Sequence, residues 1–251
     1  MNAVLTWGVS LLLYAWGICW TSLLIIKVLF AALIFPLGSY EQVVIHGCRW
    51  MLRLLGFRIQ VEGLERISAD EQYIYMANHV NIFDVFVLGG YLPGIKRGVE
   101  AAEHFEWPLW GAMIKRLGNI PIRRENLDEA RRSLDVAAEG LRKGISIVIL
   151  PEGHRTRDGA LQQFKKGPFH LAKTADVPIV PVGLSGMWEV KRYKDPHWRP
   201  GRITVKIGKP IPVRTIRKMS VDALRDLTRA SILDLIDYDV IPQRNYTLSR
   251  F

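Results

Sequence analysis

Residues 73–84 read YIYMANHVNIFD, and this stretch decides the fold class and the position of the candidate site. Its first five residues are aromatic or aliphatic, a composition that predicts a short buried strand. A polar loop follows, and the apolar residues 83–88 predict that a helix begins near Asp84. Strand, loop and helix in this order indicate an α/β sheet, in which ligands bind at the carboxyl ends of the strands.

The loop holds His79 five residues before Asp84. An imidazole beside a carboxylate is the minimum equipment for removing a proton from a hydroxyl group. The spacing alone is a common pattern, and a loop histidine next to an aspartate that caps a helix explains it equally well. The rest of the chain has to decide between these two interpretations.

Outward from this stretch, short β-branched or aromatic runs alternate with helical patterns, which predicts an α/β domain. A capping box is predicted at the start of the helix 127–143, with Asn126 as the cap and Glu129 three residues later. The predicted strands are residues 57–61, 73–77, 95–99, 145–150, 179–182 and 203–207, and the predicted helices are 40–55, 127–143 and 221–236.

Composition limits the classes of partner. The 251 residues suit one large domain with an appendage, and 49% hydrophobic content is enough for a packed core. The net charge of +10 points to polyanions, either nucleic acid or an anionic lipid surface. Because the basic residues are scattered and no nucleic-acid-binding motif is present, we expect a membrane surface and no nucleic acid as partner.

The N-terminal part has the composition of a membrane segment. Residues 1–40 contain one charged side chain, Lys27, and residues 4–35 are almost wholly apolar. A transmembrane helix needs roughly 20 apolar residues, so this run exceeds one span and falls short of two. Two alternatives stay open: one tilted span, or a helical hairpin in one leaflet that is broken around residues 21–27. A cleaved signal peptide is not expected, since no small-x-small cleavage site is visible.

Arg49, Arg53 and Arg58 follow the apolar run, with few acidic residues between them. By the positive-inside rule they place the remainder of the chain on the cytoplasmic side of an inner or cytoplasmic membrane. We therefore expect a membrane-embedded helical segment over residues 1–40 and a globular catalytic domain over residues 41–251.

Four short segments carry the chemistry: residues 78–84 (NHVNIFD), 118–124 (GNIPIRR), 151–156 (PEGHRT) and 180–182 (VPV). Each except the second follows or lies within a predicted strand. In this order they resemble the motifs of the glycerolipid acyltransferase family, over about residues 40–215. The resemblance implies an α/β fold with a mixed sheet flanked by helices and an N-terminal apolar membrane anchor.

The resemblance also implies an activity. A member of the family transfers a fatty acyl group from a thioester, either acyl-CoA or acyl-ACP (acyl carrier protein), to the free hydroxyl of a membrane lysophospholipid. The expected acceptor is 1-acylglycerol-3-phosphate, which would give phosphatidic acid. His79 would act as the general base and Asp84 would fix its tautomer, with no acyl-enzyme. No metal and no cofactor beyond the acyl donor are expected.

For the acceptor site the resemblance points to Arg124, Glu152, Gly153 and Arg155. A guanidinium group suits phosphate because it donates two parallel hydrogen bonds, and Arg123 adds a cation beside Arg124. Gly153 would let the backbone approach the ligand. Glu152 cannot bind phosphate, so it would brace Arg155 or another cation, or bind an acceptor hydroxyl.

Residues 180–182 would line an acyl-chain slot or simply pack in the core. Many relatives carry lysines where this chain has Ala101 and Ala102, and Lys96 or Arg97 could replace the missing cation. The roles of Asn78 and His154 stay open.

Two other functions remain possible on the sequence alone. The first is the same chemistry on a different lyso-lipid, and the second is a membrane-anchored lipid-binding protein without turnover. No G-x-S-x-G elbow, phosphate-binding loop, dinucleotide-binding fingerprint or HExxH motif is present, which excludes the enzyme classes that these motifs define.

Overall fold

The structure is a computed structural model, and it describes residues 3–36, 38–123 and 127–237. Its first element is helix α1 (Ala3–Ile34), which is continuous for 32 residues. No proline interrupts this apolar run, and Pro36 follows its end. The hairpin alternative is therefore wrong, since residues 21–27 are helical throughout. Among the described residues, α1 supplies one stretch, Trp7–Ile34, that is long and apolar enough to cross a membrane.

Helix α2 (Glu41–Leu54) confirms the amphipathic helix predicted over residues 40–55. It packs closely against α1 at Gly47, where an added Cβ would lie 2.2 Å from Cδ1 of Leu24. The Trp20 indole nitrogen of α1 donates to the Gly47 carbonyl oxygen at 3.1 Å. Any other residue at position 47 would therefore displace the Leu24 side chain from this contact.

The described residues form a seven-stranded sheet in the order β1-β7-β6-β2-β5-β3-β4. Neighbouring strands are parallel except for the β6–β7 pair, so the mixed sheet implied by the resemblance is confirmed. The strands are β1 (Phe57–Glu62), β2 (Ile74–Ala77), β3 (Lys96–Ala101), β4 (Ile120–Ile122), β5 (Ser146–Ile149), β6 (Ile179–Ser185) and β7 (Gly201–Ile207).

Helices cover both faces of this sheet. Over the residues that it describes, the structure has two hydrophobic cores: the first contains residues of α1, α2, α3 and α4, and the second contains residues of α5, α6, α8 and α9. The remaining helices are α3 (Asp84–Tyr91), α4 (Trp110–Arg116), α5 (Leu127–Arg142), α6 (Gly167–Ala175), α7 (Met187–Val190), α8 (Val213–Lys218) and α9 (Val221–Leu233). Helices α5 and α9 confirm the predicted helices, whereas the proposed cap Asn126 lies outside the described residues.

Strand β4 corrects the sequence analysis, which placed no strand in segment 118–124. The strand has only three residues, and its central residue is Pro121. A proline cannot donate a ladder hydrogen bond, so it is tolerated at the edge of a sheet, where β4 lies. A three-residue edge strand with a proline has almost no periodicity from which it can be predicted.

Helix α1 contacts the globular part along most of its length. Near its start, the Ser10 hydroxyl lies 2.7 Å from Nδ1 of His197. One to two turns later, the rings of Tyr14 and Trp198 are 4.3 Å apart. Further along, Val28 is fully buried. Because α1 shares its core with the rest of the chain, the division into two parts at residue 40 stays a prediction.

Candidate active site

Residues 78–84 and residues 151–156 meet at the carboxyl ends of β2 and β5. Strand β2 runs parallel to β5 beside it, so the loops after both strands emerge at the same side. The backbone N–H of Thr156 donates to the carbonyl oxygen of His79 at 2.8 Å. The loop that carries His79 is thereby joined to the loop that follows β5.

The His79–Asp84 pair has the geometry expected from the sequence. Nδ1 of His79 lies 2.7 Å from Oδ2 of Asp84, which is the first residue of α3 and is fully buried. The same oxygen accepts the backbone N–H groups of Val80 at 2.6 Å and Asn81 at 3.0 Å. An ionised carboxylate only accepts hydrogen bonds, so Nδ1 carries the proton in the neutral imidazole. Nε2 then keeps its lone pair, as a general base requires.

Glu152 holds the backbone of His79. Its Oε1 accepts the backbone N–H of His79 at 2.6 Å, and its Oε2 accepts the backbone N–H of Gln162 at 2.8 Å. Among the described residues Glu152 forms no ion pair with Arg155 and holds backbone N–H groups instead, so the structure does not show it bracing Arg155. Its binding of an acceptor hydroxyl stays a prediction. Burial raises the pKa of Glu152 to about 7, against the opposing effect of the two backbone hydrogen bonds.

Two asparagines fix the loop that carries His79. The side-chain amide of Asn78 donates to the Leu184 carbonyl at 2.9 Å and accepts the Leu184 N–H at 2.7 Å, so it pairs with β6 as a backbone unit would. Its amide is therefore engaged in orienting the loop. Asn81 accepts the Phe83 N–H and donates to the Met187 carbonyl. The sequence analysis did not find Asn81, since its partner helix α7 is about 100 residues away in the chain.

The structure places the arginines that the sequence predicts for an acceptor site as follows. Arg155 is exposed, and its Cζ lies 5.8 Å from the centroid of the Tyr193 ring. Arg123 is exposed and is 3.5 Å from a carboxylate oxygen of Glu129. Arg124, the arginine that matches the family motif, lies outside the described residues. Among the described residues, Arg155 is thus the motif arginine that lies close to the His79 loop.

The loop after β5 needs a glycine. Gly153 has φ of +79°, a conformation that side chains disfavour, and its N–H donates to the Leu150 carbonyl. This tight turn directs the chain from Glu152 to Arg155. His154 is exposed beside Arg155, and nothing in its contacts explains it.

A mainly apolar cavity of about 120 Å³ lies between α1–α4 and strands β3 and β5. Val85 and Phe86, directly after Asp84, line one part of it, and Leu150 lies two residues before Glu152. The segment 180–182 is not among the lining residues. It is buried within β6, so the alternative of simple core packing is the correct one for this segment.

Lys96 and Arg97 also line this cavity, at the start of β3 and away from the strand ends that carry His79 and Glu152. Both are buried, and Arg97 forms an ion pair with Glu41 of α2. Nε and Nη2 of Arg97 have no partner among the described residues. Because both lie at the start of β3, at the end of the strands opposite to His79, the structure does not support the prediction that one of them replaces the missing phosphate cation.

The comparisons with known proteins show the family of this chain. Residues 58–185 match the family model described as Acyltransferase. The chain therefore belongs to the acyltransferase family. This range includes His79, Asp84, Arg124, Glu152 and Arg155.

The particular relatives carry a more specific name. The chain is 31% identical over 196 residues to a protein of Limnanthes douglasii named 1-acyl-sn-glycerol-3-phosphate acyltransferase, covering 78% of this chain and 68% of that protein. A protein of Cocos nucifera with the same name is 30% identical over 187 residues. That match covers 74% of this chain and 60% of the coconut protein. The chain thus spans less than two thirds of the coconut relative.

Among solved structures, the chain resembles the 1-acyl-sn-glycerophosphate acyltransferase of Thermotoga maritima. The TM-score is 0.78 at 23% identity, and the match covers 92% of this chain and 95% of that one. This likeness shows the fold, and it includes nearly the whole described part of the chain.

Proposed function

We propose that this protein transfers a fatty acyl group from an acyl thioester to the free hydroxyl of a lysophospholipid, with 1-acylglycerol-3-phosphate as the acceptor and phosphatidic acid as the product. The observation that carries the proposal is the His79–Asp84 pair. Its imidazole is oriented by a fully buried carboxylate, and its backbone is held by Glu152 and Thr156. The name shared by the most similar relatives supports the choice of acceptor.

The reaction follows from the tautomer of His79. Nε2 removes the proton from the acceptor hydroxyl while its oxygen attacks the thioester carbonyl carbon. Asp84 stabilises the imidazolium that forms, as the aspartate does in a serine hydrolase triad. When the tetrahedral intermediate collapses, the carbon–sulfur bond breaks and the leaving thiolate takes the proton from Nε2. The products are the ester and the free thiol, and no acyl-enzyme forms.

The protein surfaces around the His79–Asp84 pair are complementary to both substrates. The apolar cavity behind Val85, Phe86 and Leu150 suits a fatty acyl chain, since apolar groups gain roughly 0.8 kcal/mol per buried methylene. Arg155, and Arg124 by its motif position, would bind the acceptor phosphate. The donor, acyl-CoA or acyl-ACP, stays an expectation of the sequence.

Attachment to a membrane surface would bring the site to its lipid substrate. The side of α1 that faces away from the core carries large exposed hydrophobic residues, among them Leu11, Leu12, Ile26, Phe30 and Leu33. Water is an unfavourable environment for so much apolar area, whereas a lipid surface is a favourable one. We place the catalytic domain on the cytoplasmic face of that membrane, as the arginines after α1 predict.

The experiment compares the purified protein with two variants, using lysophosphatidate and each thioester donor in detergent micelles. His79→Ala should abolish transfer, and Asp84→Asn should lower kcat by about 10²–10⁴-fold because the amide cannot hold the same tautomer. Asp226→Asn, an exposed residue of α9, is the matched control and should keep full activity. Substantial thioester turnover in His79→Ala would refute the mechanism.

A second set of reactions separates the acceptors. The wild-type protein is given lysophosphatidate or a lyso-lipid whose phosphate carries a further alcohol. Preference for the second acceptor would support the alternative substrate. Binding of both lipids with no product from either would support a lipid-binding protein without turnover.

A further inference from the structure

A short basic loop lies beside the candidate site. Residues 191–194 read KRYK and follow α7; we call them the basic loop. Within it, the ring centroid of Tyr193 lies 5.8 Å from the Arg155 Cζ and 5.8 Å from the Lys194 Nζ. An aromatic ring attracts cations at this distance, so Tyr193 holds Arg155 next to the basic loop.

The basic loop is joined to the residues on both sides of His79. The Asn81 side chain donates to the carbonyl oxygen of Lys191 at 3.2 Å. Arg155 directly precedes Thr156, whose N–H donates to the His79 carbonyl. The His79 loop is thus hydrogen-bonded to Lys191 itself and to Thr156, the residue that follows Arg155.

The ammonium group of Lys191 is held by backbone oxygens. It donates to the backbone carbonyls of Asp195 and Arg192, and no carboxylate contacts it among the described residues. The pKa of Lys191 is lowered by burial and by the charge of Arg155, against the opposing charge of Asp195. Arg155 forms no ion pair with any described residue. Two cations placed together without a carboxylate between them repel each other, and an anion between them removes that repulsion.

The carboxylates nearby are directed elsewhere. Oδ1 of Asp195 accepts the backbone N–H of His197 at 2.9 Å, and its Oδ2 is 3.8 Å from Arg199. Glu189 of α7 is half-buried, with Oε1 lacking a partner among the described residues, and burial raises its pKa. Neither acid is positioned to neutralise both cations.

We propose that Lys191 binds the phosphate of the lyso-lipid acceptor together with Arg155, and that Tyr193 positions Arg155 for this contact. The proposal rests on the proposed function and assigns two residues outside its four motifs. Lys191 supplies the cation that is absent at Ala101 and Ala102. The same chain segment then contacts α1 through His197 and Trp198, so it connects the lipid-facing helix with His79.

The test measures the KM of lysophosphatidate and the KM of the acyl thioester separately for each variant. Lys191→Gln should raise the acceptor KM about tenfold, or about 1.4 kcal/mol, because one charge-assisted hydrogen bond is lost, and leave the donor KM unchanged. Lys191→Arg keeps the charge and should restore the acceptor KM. The ratio of the two constants within one protein does not depend on the fraction that folds.

Two further variants make the comparison specific. Tyr193→Ala should raise the acceptor KM, whereas Tyr193→Phe, which keeps the aromatic face, should not. Lys209→Gln removes the same charge from an exposed site and is the matched control. Lys209 follows β7, at the end of the strands opposite to His79.

The outcomes separate the two proposals. If Lys191→Gln behaves like Lys209→Gln, or raises the donor KM instead of the acceptor KM, the assignment of Lys191 is overturned while the proposed function stands. If the wild-type protein acylates no lyso-lipid with either donor, the proposed function fails, and the assignment fails with it.

Discussion

At the scale of single residues, the site depends on one carboxylate that binds no cation in the described structure. Glu152 accepts two backbone N–H groups, one of them from His79. A carboxylate has the two acceptor oxygens that this arrangement needs, whereas an amide has one acceptor and one donor. The two backbone N–H groups that Glu152 accepts thus require a carboxylate at this position. We expect Glu152 to affect the reaction by positioning His79.

The pH dependence of stability tests this role. The pKa of Glu152 is about 7 in the folded protein and about 4.5 when unfolded, so the folded state binds the proton more tightly. Its contribution to the free energy of unfolding, about 3 kcal/mol, is fully present below pH 4.5 and is lost as the pH rises through 7. We expect the free energy of unfolding of wild type minus that of Glu152→Gln to fall over this range, as measured by chemical denaturation at several pH values.

A difference that stays flat from pH 4.5 to 7 would contradict the buried environment assigned to Glu152. Glu103→Gln, at an exposed carboxylate after β3, is the control for general pH effects. Glu152→Gln should also lower kcat, because its amide nitrogen would face a backbone donor.

At the scale of elements, β3 brings cations to the inner end of an apolar cavity. Lys96 and Arg97 begin the strand, and Glu41 of α2 neutralises one of the two charges. Burial lowers the pKa of Lys96 to about 8. The end of an acyl chain that reached this ammonium group would remove part of its remaining solvation. The desolvation of the Lys96 ammonium group would therefore oppose the binding of longer acyl chains. The burial of additional methylene groups would have to outweigh this cost.

Replacing this charge should change the products. Lys96→Met has a similar length and no charge, so we expect the variant to favour longer acyl chains than the wild type does. The measurement is one reaction with a mixture of acyl thioesters of different lengths, followed by mass spectrometry of the products. Lys115→Met, at an exposed lysine of α4 that does not line this cavity, should leave the distribution unchanged. An unchanged distribution in Lys96→Met would show that chains do not reach this end.

At the scale of the whole molecule, α1 contacts the rest of the chain from Ser10 to Val28. At 1.5 Å per residue, these contacts extend for roughly 27 Å, nearly the thickness of the hydrocarbon layer. A helix that crossed the membrane would draw the charged loop at His197 into the lipid. We therefore infer that α1 lies along one face of the membrane, with its exposed apolar side in the lipid.

Labelling of single cysteines distinguishes the two arrangements. In a Cys19→Ser background, Gly8→Cys at the start of α1 and Phe35→Cys after its end should react with a membrane-impermeant maleimide from the same side of sealed vesicles. The native Cys48 stays unreactive, because burial raises its pKa to about 12. Asp135→Cys, exposed on α5, marks the side of the catalytic domain. Labelling of the two ends from opposite sides would show a span.

The sequence by itself determined the local features of this protein. The periodicity of residues 40–55, 127–143 and 221–236 and the apolar runs of six strands were sufficient for the α/β fold, because each depends on neighbouring residues. The spacing from His79 to Asp84 made their contact possible, since both lie within one loop and the first turn of one helix, and the family resemblance selected it from the alternatives. The mixed sheet needed the family resemblance, and the edge strand β4 was missed.

Tertiary structure decided what depends on distant parts of the chain. Only the folded chain shows that Glu152 holds His79, that Asn81 reaches α7, and that Lys96 and Arg97 face a cavity and not the candidate acceptor site. Only packing shows that α1 is one helix bound along the domain. Such contacts join residues that are about 70 to more than 180 positions apart, and no local pattern specifies which backbone donor a buried carboxylate will meet.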